Sequence, residues 1–297
     1  MRIGAAEINS TFSSQAEALA GILVAAGVTP KADIVVSEFA STENAQKLFE
    51  HRIDYGFMAC NWIGMAARGA PPFTQAIDLR IVAPMNVGPM YFIARPDRDI
   101  ASIEDLRGRR VAVGPNRSGT RQHAVSILGA LGIGFEDFEP VFLSFADGAE
   151  ALRRGDIDAQ LQCPYPNAVI ERLDRDFEFR VLGLSEAEFS KVQARSPVYR
   201  RALMKSGSLR ALKADALQAG VLNVLVSRAD EPDEGVAAVA GTIADHAGDL
   251  GRRNPLFLGL EGLFEQLRRA GEAELRFDGV SLHPGARNAY RQRGLVA

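Results

Sequence analysis

The sequence predicts an α/β protein of two similar lobes joined by extended segments, with a ligand cleft between the lobes. Short apolar runs alternate with helix-length segments, a pattern typical of βαβ units and largely parallel sheets. The order strand, loop, helix that begins at Ile3-Gly4 begins again at Val113-Gly114. A helix leading into Arg52-Ile53-Asp54-Tyr55 is likewise matched by one leading into Asp156-Ile157-Asp158-Ala159. Chance similarity is the alternative, because strand-then-helix order is common in this class.

Length and composition are ordinary for a soluble globular protein. The chain has 297 residues, which suits about two domains. A net charge of −3, with both signs mixed, argues against nucleic acid as a partner. Four His and two Cys are too few and too scattered for a zinc site, so we expect neither a metal nor another cofactor.

No run approaches the roughly 20 apolar residues that a membrane-spanning helix needs, so no membrane insertion is expected. The first residues read as a strand and not as a basic-then-apolar leader. Two locations stay open: periplasmic or extracytoplasmic if a leader was removed, cytoplasmic if the chain has none. We expect a monomer.

The elements follow in order along the chain. Apolar periodicity and turn residues predict helices at 13–26, 42–50, 102–106, 120–131, 149–154, 234–247 and 256–269. Strands or extended segments are predicted at 34–36, 55–58, 81–84, 90–95, 110–114, 157–162 and 221–226, with a loop at 248–255. The strand at 221–226 returns the chain to the first lobe. Lobe 1 is therefore predicted as residues 1–93 plus 221–297, and lobe 2 as 94–220.

Ligands of open α/β sheets bind beyond the carboxyl ends of the strands, which places the predicted site in the loops that follow them. The segment from Asn116 to Arg121 joins a strand to a helix. Ser118 is a suitable N-cap, Gly119 permits close approach of a ligand, and the helix terminus favours negative charge. Arg121, beside Thr120 in the first turn, is electrostatically unfavourable there unless it binds an anion. The alternative is an ordinary capped helix with a solvated arginine.

Other candidate ligand-binding residues occupy the remaining loops after strands: Glu7, Asn9, Ser10, Thr11, Ser41, Thr42, Asn61, Trp62, Cys163 and Tyr165. The Glu7 carboxylate could receive an ammonium group, or be a surface charge. Trp62 offers a flat apolar wall, although core packing explains it slightly better. Tyr165, between two prolines, is a lid contact or a packing residue.

Catalysis is not expected. Cys60 and Cys163 are expected to be free thiols, because a disulfide across the cleft would lock the lobes. The histidines show no sequence spacing that relates them to a nucleophile. An enzyme would need a paired acid and base, and Glu7 has no evident partner.

Three sets of motifs resemble the TAXI family, the solute receptors of TRAP transporters. The most specific runs from Leu282-His283-Pro284-Gly285-Ala286 to Tyr290 and Gly294. A second covers 103–114 and Ser118-Gly119-Thr120. The third comprises Asn44, Leu48, Asp54, Gly56, Gly69 and Phe73.

The resemblance implies a type II periplasmic-binding fold that clamps a small carboxylate such as glutamate and passes it to a membrane permease of the TRAP type. Three segments depart from the family pattern: the glycine-rich loops are replaced at 5–12 and 38–42, and an aromatic residue is absent at 206–209. All three border the predicted cleft, so the solute is expected to differ. A cytosolic sensor or effector-binding module on the same fold is the alternative.

Overall fold

The computed structural model describes residues 1–8, 10–116 and 118–297. The strands are β1 Arg2–Gly4, β2 Asp33–Val35, β3 Tyr55–Ala59, β4 Leu79–Ala94, β5 Arg110–Ala112, β6 Glu139–Val141, β7 Ala159–Gln162, β8 Arg180–Leu182, β9 Tyr199–Met204 and β10 Ala216–Arg228. The helices are α1 Thr11–Ala25, α2 Ser41–Phe49, α3 Cys60–Arg68, α4 Gly119–Ala130, α5 Phe145–Arg154, α6 Ala168–Asp176, α7 Glu186–Arg195, α8 Asp233–Asp245, α9 Ala247–Arg253, α10 Leu260–Ala270 and α11 Pro284–Gln292. Short 3₁₀ turns lie at Glu104–Leu106, Pro255–Phe257 and Gly271–Leu275.

The chain forms two compact units. Unit 1 comprises Met1–Asn86 and Leu222–Ala297, and unit 2 comprises Val87–Val221. The boundaries fall inside β4 and β10, so each of these long strands begins in one unit and ends in the other.

Unit 1 contains a parallel core of three strands in the order β2-β1-β3. Ile3 lies opposite Ile34 on one side and Tyr55 on the other. The unit 1 part of β10 then adds to β3 in the antiparallel direction, with Asn223 opposite Ala59. Helices follow each parallel strand, and the apolar side chains between helices and sheet are fully buried: Ile3, Leu19, Leu23, Leu48, Ile53, Phe57 and Met58.

Unit 2 repeats this arrangement. Its parallel core has the order β6-β5-β7, and the unit 2 part of β4 pairs with β7 in the antiparallel direction. Strand β8 pairs with β4, and β9 with the unit 2 part of β10. Its core includes Tyr91, Ile93, Leu152, Ile157 and Ile170. The two halves of the predicted internal repeat therefore have the same strand order and the same directions.

Some predicted elements are wrong in extent or kind. The sequence predicts two extended segments separated at Pro89, whereas β4 runs unbroken through Pro84 and Pro89. Proline lacks only a donor, and a strand continues through it where that donor is not needed. The predicted loop at 248–255 contains α9, whose Gly248 and Gly251 lower helix propensity while Leu250 is fully buried.

Several elements are absent from the sequence prediction: β6, β8, β9, α3, α6, α7 and α11. The prediction that Asn61 and Trp62 lie in a loop is wrong, because α3 begins at Cys60 directly after β3 and has no side-chain cap to signal its start. Helix α7 does carry a readable signal, a reciprocal capping box between Ser185 and Glu188.

The C-terminal motif has a structural role in unit 1. His283 caps α11 by accepting a hydrogen bond from Gly285 N at its Nδ1. The Tyr290 hydroxyl donates to the Val82 carbonyl at 2.7 Å, which fixes α11 to β4. A Cβ on Gly285 would lie 2.1 Å from the Asp233 carbonyl oxygen, so only glycine fits there. The most specific piece of the resemblance thus holds the C-terminal helix in place.

Candidate functional site

The first loop of unit 1 joins β1 to α1 at the carboxyl edge of the parallel strands. Ser10 caps α1, its hydroxyl accepting from Ser13 N at 3.2 Å. Thr11 is the first residue of that helix, and Glu7 is exposed. Asn9, also a predicted ligand-binding residue, lies outside the described residues. Glu7 is therefore accessible to a ligand, whereas the Ser10 hydroxyl is used by the helix.

The second loop of unit 1 leads into α2, and the hydroxyls predicted to bind ligand there make contacts within the unit. Ser41 is buried, and its hydroxyl accepts from Ala59 N at 3.0 Å. The Thr42 hydroxyl donates to the Phe39 carbonyl at 3.2 Å. Phe39 itself is 70% exposed. The Ser41 and Thr42 hydroxyls therefore stabilise the loop. That they also contact a ligand stays a prediction.

Asn44 connects three segments at this edge. Its Nδ2 donates to the carbonyls of Ala5 at 2.7 Å and Phe57 at 2.9 Å, and its Oδ1 accepts from the Ser37 hydroxyl at 2.6 Å. A Cβ on Gly4 would lie 2.6 Å from that Oδ1. Asn44 belongs to one of the family-like motifs, and its contacts hold the loops after β1 and β2 against β3.

Buried Lys47 supports the same loop. Its ammonium donates to the Val36 carbonyl and to the Ser37 hydroxyl, and lies 2.8 Å from the Glu43 carboxylate. Burial opposes ionisation of Glu43, but bonds from Lys47 and from Phe39 N hold its pKa below the ordinary value. The pair with Glu43 has the i,i+4 spacing that a helix makes readable from the sequence. The bonds to Val36 and Ser37 follow no local pattern, because both residues belong to the loop that precedes the helix.

Buried amides form a second polar group in unit 1. Gln15 Nε2 and Asn223 Nδ2 each donate to Asn86 Oδ1 at 3.2 Å. Asn61, a predicted ligand-binding residue, lies in the first turn of α3, and its Oδ1 is enclosed without a hydrogen-bond partner among the described residues. The sequence prediction missed Gln15, which carries no local signal because it lies inside a helix.

Trp62 packs inside unit 1. It is 7% exposed, and its ring meets that of Phe73 edge to face at 6.3 Å. Core packing, the slightly preferred alternative for this residue, accounts for that position. Contact between Trp62 and a ligand stays a prediction.

In unit 2 the loop between β5 and α4 has the predicted capped form. Ser118 accepts from Arg121 N at 3.1 Å, and Ser118 N donates to the Pro115 carbonyl. Gly114 has φ +92°, and a Cβ there would lie 2.6 Å from Thr120 Cβ. Asn116 is exposed, and Gly119 is partly exposed. The N-terminus of α4 is therefore accessible, with N–H groups that a helix leaves without intrahelical partners.

Arg121 lies against aromatic rings. Its guanidinium carbon is 5.4 Å from the centroid of Phe135 and 5.7 Å from that of Phe142. Its Nε is buried without a hydrogen-bond partner among the described residues. Cation–π contacts of this kind hold the planar group in one orientation. They also give the arginine a packing role that the sequence does not predict.

Cys163 and Tyr165 follow β7 in unit 2. Burial raises the pKa of the Cys163 thiol to about 12, with a smaller opposing effect of the Thr120 hydroxyl. The Tyr165 hydroxyl donates to the Ser208 carbonyl at 2.5 Å, and its ring packs on the core. Cys163 is thus a protonated thiol that forms no disulfide, and Tyr165 packs on the core with its hydroxyl bonded. Contact between these two residues and a ligand stays a prediction.

Three helix N-termini face the same edge of unit 2, because α4, α5 and α6 each follow one of the parallel strands β5, β6 and β7. Ser144 caps α5 by accepting from Asp147 N, and Asn167 caps α6 by accepting from Ile170 N. Sequence reasoning identified the N-terminus of α4 alone. Helix α5 begins at Phe145, four residues before the predicted start, and its N-terminus therefore lies at the edge of the sheet.

Metal binding and membrane insertion find no support in the part of the chain that the structure describes. No group of three or more His, Cys, Asp or Glu side chains there is placed to hold a metal ion. None of the described helices combines the length and the apolar character required to cross a bilayer.

Periplasmic solute-binding proteins have the same fold. The sulfonate-binding protein SsuA of Methylobacillus flagellatus matches with a TM-score of 0.56 and 14% identity, over 99% of this chain and 94% of its own. A TctC solute-binding protein from Polaromonas matches with a TM-score of 0.55 and 15% identity, over 99% of this chain and 94% of its own. The aliphatic sulphonate-binding protein SsuA of Escherichia coli matches with a TM-score of 0.50 and 18% identity, over 100% of this chain and 88% of its own. The predicted α/β, two-lobed fold class is therefore confirmed.

A family model matches residues 3–294, nearly the whole chain. The protein belongs to the NMT1-like family.

Proposed function

We propose that the protein is an extracytoplasmic solute receptor of the TAXI type, which binds a small organic anion and delivers it to a TRAP-type permease. The solute class is a carboxylate or an amino acid such as glutamate. The observation that carries the anion preference is in unit 2, where α4, α5 and α6 begin at one edge of the sheet. Helix N-termini favour negative charge through their free N–H groups and their dipoles.

Arg121 is the proposed charged anchor of this edge. Its guanidinium lies against Phe135 and Phe142, which leaves the polar edge of the group available to a carboxylate. A stacked guanidinium also loses little conformational freedom when it binds, so more of the interaction energy contributes to affinity. Asn116 and the N–H groups of Gly119 and Thr120 are the proposed neutral donors.

The absence of catalysis is part of the proposal. The related solved structures are binding proteins by name. Cys163, the described thiol that follows β7, has a raised pKa and is therefore a poor nucleophile. Delivery to a permease makes a separate prediction, that a gene for a large multi-span permease lies beside the gene for this receptor.

The experiment is a thermal-shift screen of amino acids, dicarboxylates and keto acids, followed by calorimetry on the best ligand. A ligand at about 100 times its Kd stabilises by roughly 2.7 kcal/mol, an easily measured shift. Arg121→Ala should then weaken binding by about 1.5–3 kcal/mol, because a charge-assisted pair is lost. Arg121→Lys keeps the charge without the planar fork and should recover only part of the affinity.

Arg195→Ala is the matched control, since Arg195 is an exposed arginine at the end of α7 in the same unit. It should bind as the wild type does. An unchanged Kd in Arg121→Ala would remove Arg121 from the site, and a screen without any anionic ligand would overturn the proposed function.

A further inference from the structure

Three buried amide side chains meet in unit 1. Gln15 lies on α1, Asn86 on β4 and Asn223 on β10, and they are 0%, 5% and 7% exposed. Asn86 Oδ1 accepts from both Gln15 Nε2 and Asn223 Nδ2, each at 3.2 Å. Asn223 lies opposite Ala59, the last residue of β3. The amide cluster, Gln15 with Asn86 and Asn223, therefore lies at the carboxyl edge of the parallel strands of unit 1, where ligands of such sheets bind.

Two acceptor atoms at this edge lack partners among the described residues. Gln15 Oε1 is enclosed and makes no hydrogen bond, although the residue is fully buried. Asn61 Oδ1, two residues beyond Ala59, is enclosed in the same way. Buried carbonyl oxygens are nearly always bonded, so two at one edge need an explanation.

Exchanging the amide oxygen and nitrogen of Gln15 alone does not explain the unpaired oxygen. In the exchanged orientation Gln15 Oε1 would face Asn86 Oδ1, so that two acceptors would meet, and Nε2 would lose its partner. Asn86 Oδ1 also accepts from Asn223 Nδ2, so reversing these bonds would require all three amides to be exchanged together. In the arrangement that the structure shows, the unpaired atom of Gln15 is an acceptor.

We propose that the amide cluster and Asn61 form a subsite for a hydrogen-bond donor of the bound solute, an ammonium, amide N–H or hydroxyl group. The inference rests on the proposed receptor function, because it names a chemical group of the solute. Both open atoms are acceptors, so a group that offers only a carbonyl oxygen gains nothing there and is left unpaired beside them. The subsite selects amino and hydroxy acids over the corresponding keto acids.

The test uses congeners that differ in one substituent: glutamate, 2-hydroxyglutarate and 2-oxoglutarate, and aspartate, malate and oxaloacetate. Calorimetry on the wild type should give at least tenfold weaker binding for the keto member of the series that binds. The carboxylates are the same within each series. The hydroxy and keto members also carry the same net charge, so their difference reports on the donor group, whereas the amino member adds the positive charge of its ammonium.

Variants of Gln15 and Asn61 test whether these residues cause the preference for amino over keto acids. Gln15→Met keeps the approximate volume without the open acceptor, and should weaken the amino member about tenfold while leaving the keto member unchanged. Gln15→Glu keeps an acceptor, adds charge, and should favour the ammonium further. Asn61→Leu gives a second comparison on a different helix if Gln15→Met does not fold. Gln266→Met, at an exposed position of α10, is the matched control and should behave as the wild type.

The outcomes separate the two proposals. If none of the screened anions, these congeners included, binds the wild type, both the proposed function and the subsite are overturned. Equal binding of amino, hydroxy and keto members would overturn the subsite alone. So would a preference that persists in both Gln15→Met and Asn61→Leu, because the donor would then be bound elsewhere.

Discussion

The carboxylate of Asp158 accepts hydrogen bonds from both the backbone N–H and the guanidinium of Arg110, at 2.9 and 3.0 Å. Asp54 binds Arg2 in the same way, at 2.7 and 3.0 Å. In each unit the arginine opens the first parallel strand, and the aspartate directly precedes the third. The internal repeat therefore extends from strand order to individual hydrogen bonds.

The same arginines also bind the end of the preceding helix. Arg110 Nη2 donates to the Gly155 carbonyl and Arg2 Nη2 to the His51 carbonyl, each at 2.9 Å. Gly155 and His51 both have positive φ, +87° and +56°. Each arginine, at the start of the first parallel strand, thus binds two groups that precede the third: the end of the helix and the aspartate.

The two aspartates should differ in their contribution to stability. Asp158 is 7% exposed; burial would raise its pKa, but the bonds from Arg110 hold it below its ordinary value. Asp158→Asn should lower the free energy of unfolding by about 2 kcal/mol, because the partly buried guanidinium of Arg110 loses its counter-charge. Asp54→Asn, at a more exposed pair, should cost about 1 kcal/mol. Urea unfolding measures both, and equal costs would contradict the prediction.

His51 occupies a left-handed backbone conformation that glycine adopts more easily. Its counterpart Gly155 shows which residue suits the position after such a helix. His51→Gly should stabilise the protein by up to about 1 kcal/mol, because relief of backbone strain exceeds the entropy that glycine adds to the unfolded chain. Gly155→Ala should destabilise by about 1 kcal/mol. A loss of stability in His51→Gly, measured by thermal unfolding, would show that the conformation is not strained.

His123 should make stability depend on pH. Burial lowers the pKa of His123 from 6.5 to about 4, and its Nδ1 lies 2.9 Å from the Tyr199 hydroxyl. Above pH 6.5 the ring is neutral in both states. As the pH falls towards 4, the unfolded chain takes up a proton that the folded chain does not. The free energy of unfolding should therefore fall by up to about 3 kcal/mol over that window.

His123→Gln removes this titration and keeps a side chain able to bond Tyr199. Denaturant unfolding of the wild type and His123→Gln at pH 7.5 and pH 4.5 gives the comparison. The variant should lose less stability between the two values. Parallel losses would mean that His123 takes up its proton in the folded state as readily as in the unfolded one.

Gly285 should not tolerate a side chain. Gly285→Ala places a Cβ against the Asp233 carbonyl oxygen and should destabilise unit 1 by several kcal/mol, because backbone must move. Gly262→Ala is the control: nothing lies within 4 Å of a Cβ there, and alanine should stabilise α10 by about 0.5–1 kcal/mol. Thermal unfolding distinguishes the two, and a harmless Gly285→Ala would show that α11 can shift.

The sequence by itself determined the alternation of strands and helices, the internal repeat, and the capped start of α4 at Ser118. These are local signals: periodicity, turn residues and a cap act between residues close along the chain. Only the tertiary structure decided the contacts of Asn44, the amide cluster around Gln15, and the stacking of Arg121 on Phe135 and Phe142. Those partners lie up to 137 residues apart, as Asn86 and Asn223 do, and burial, not local pattern, selects them.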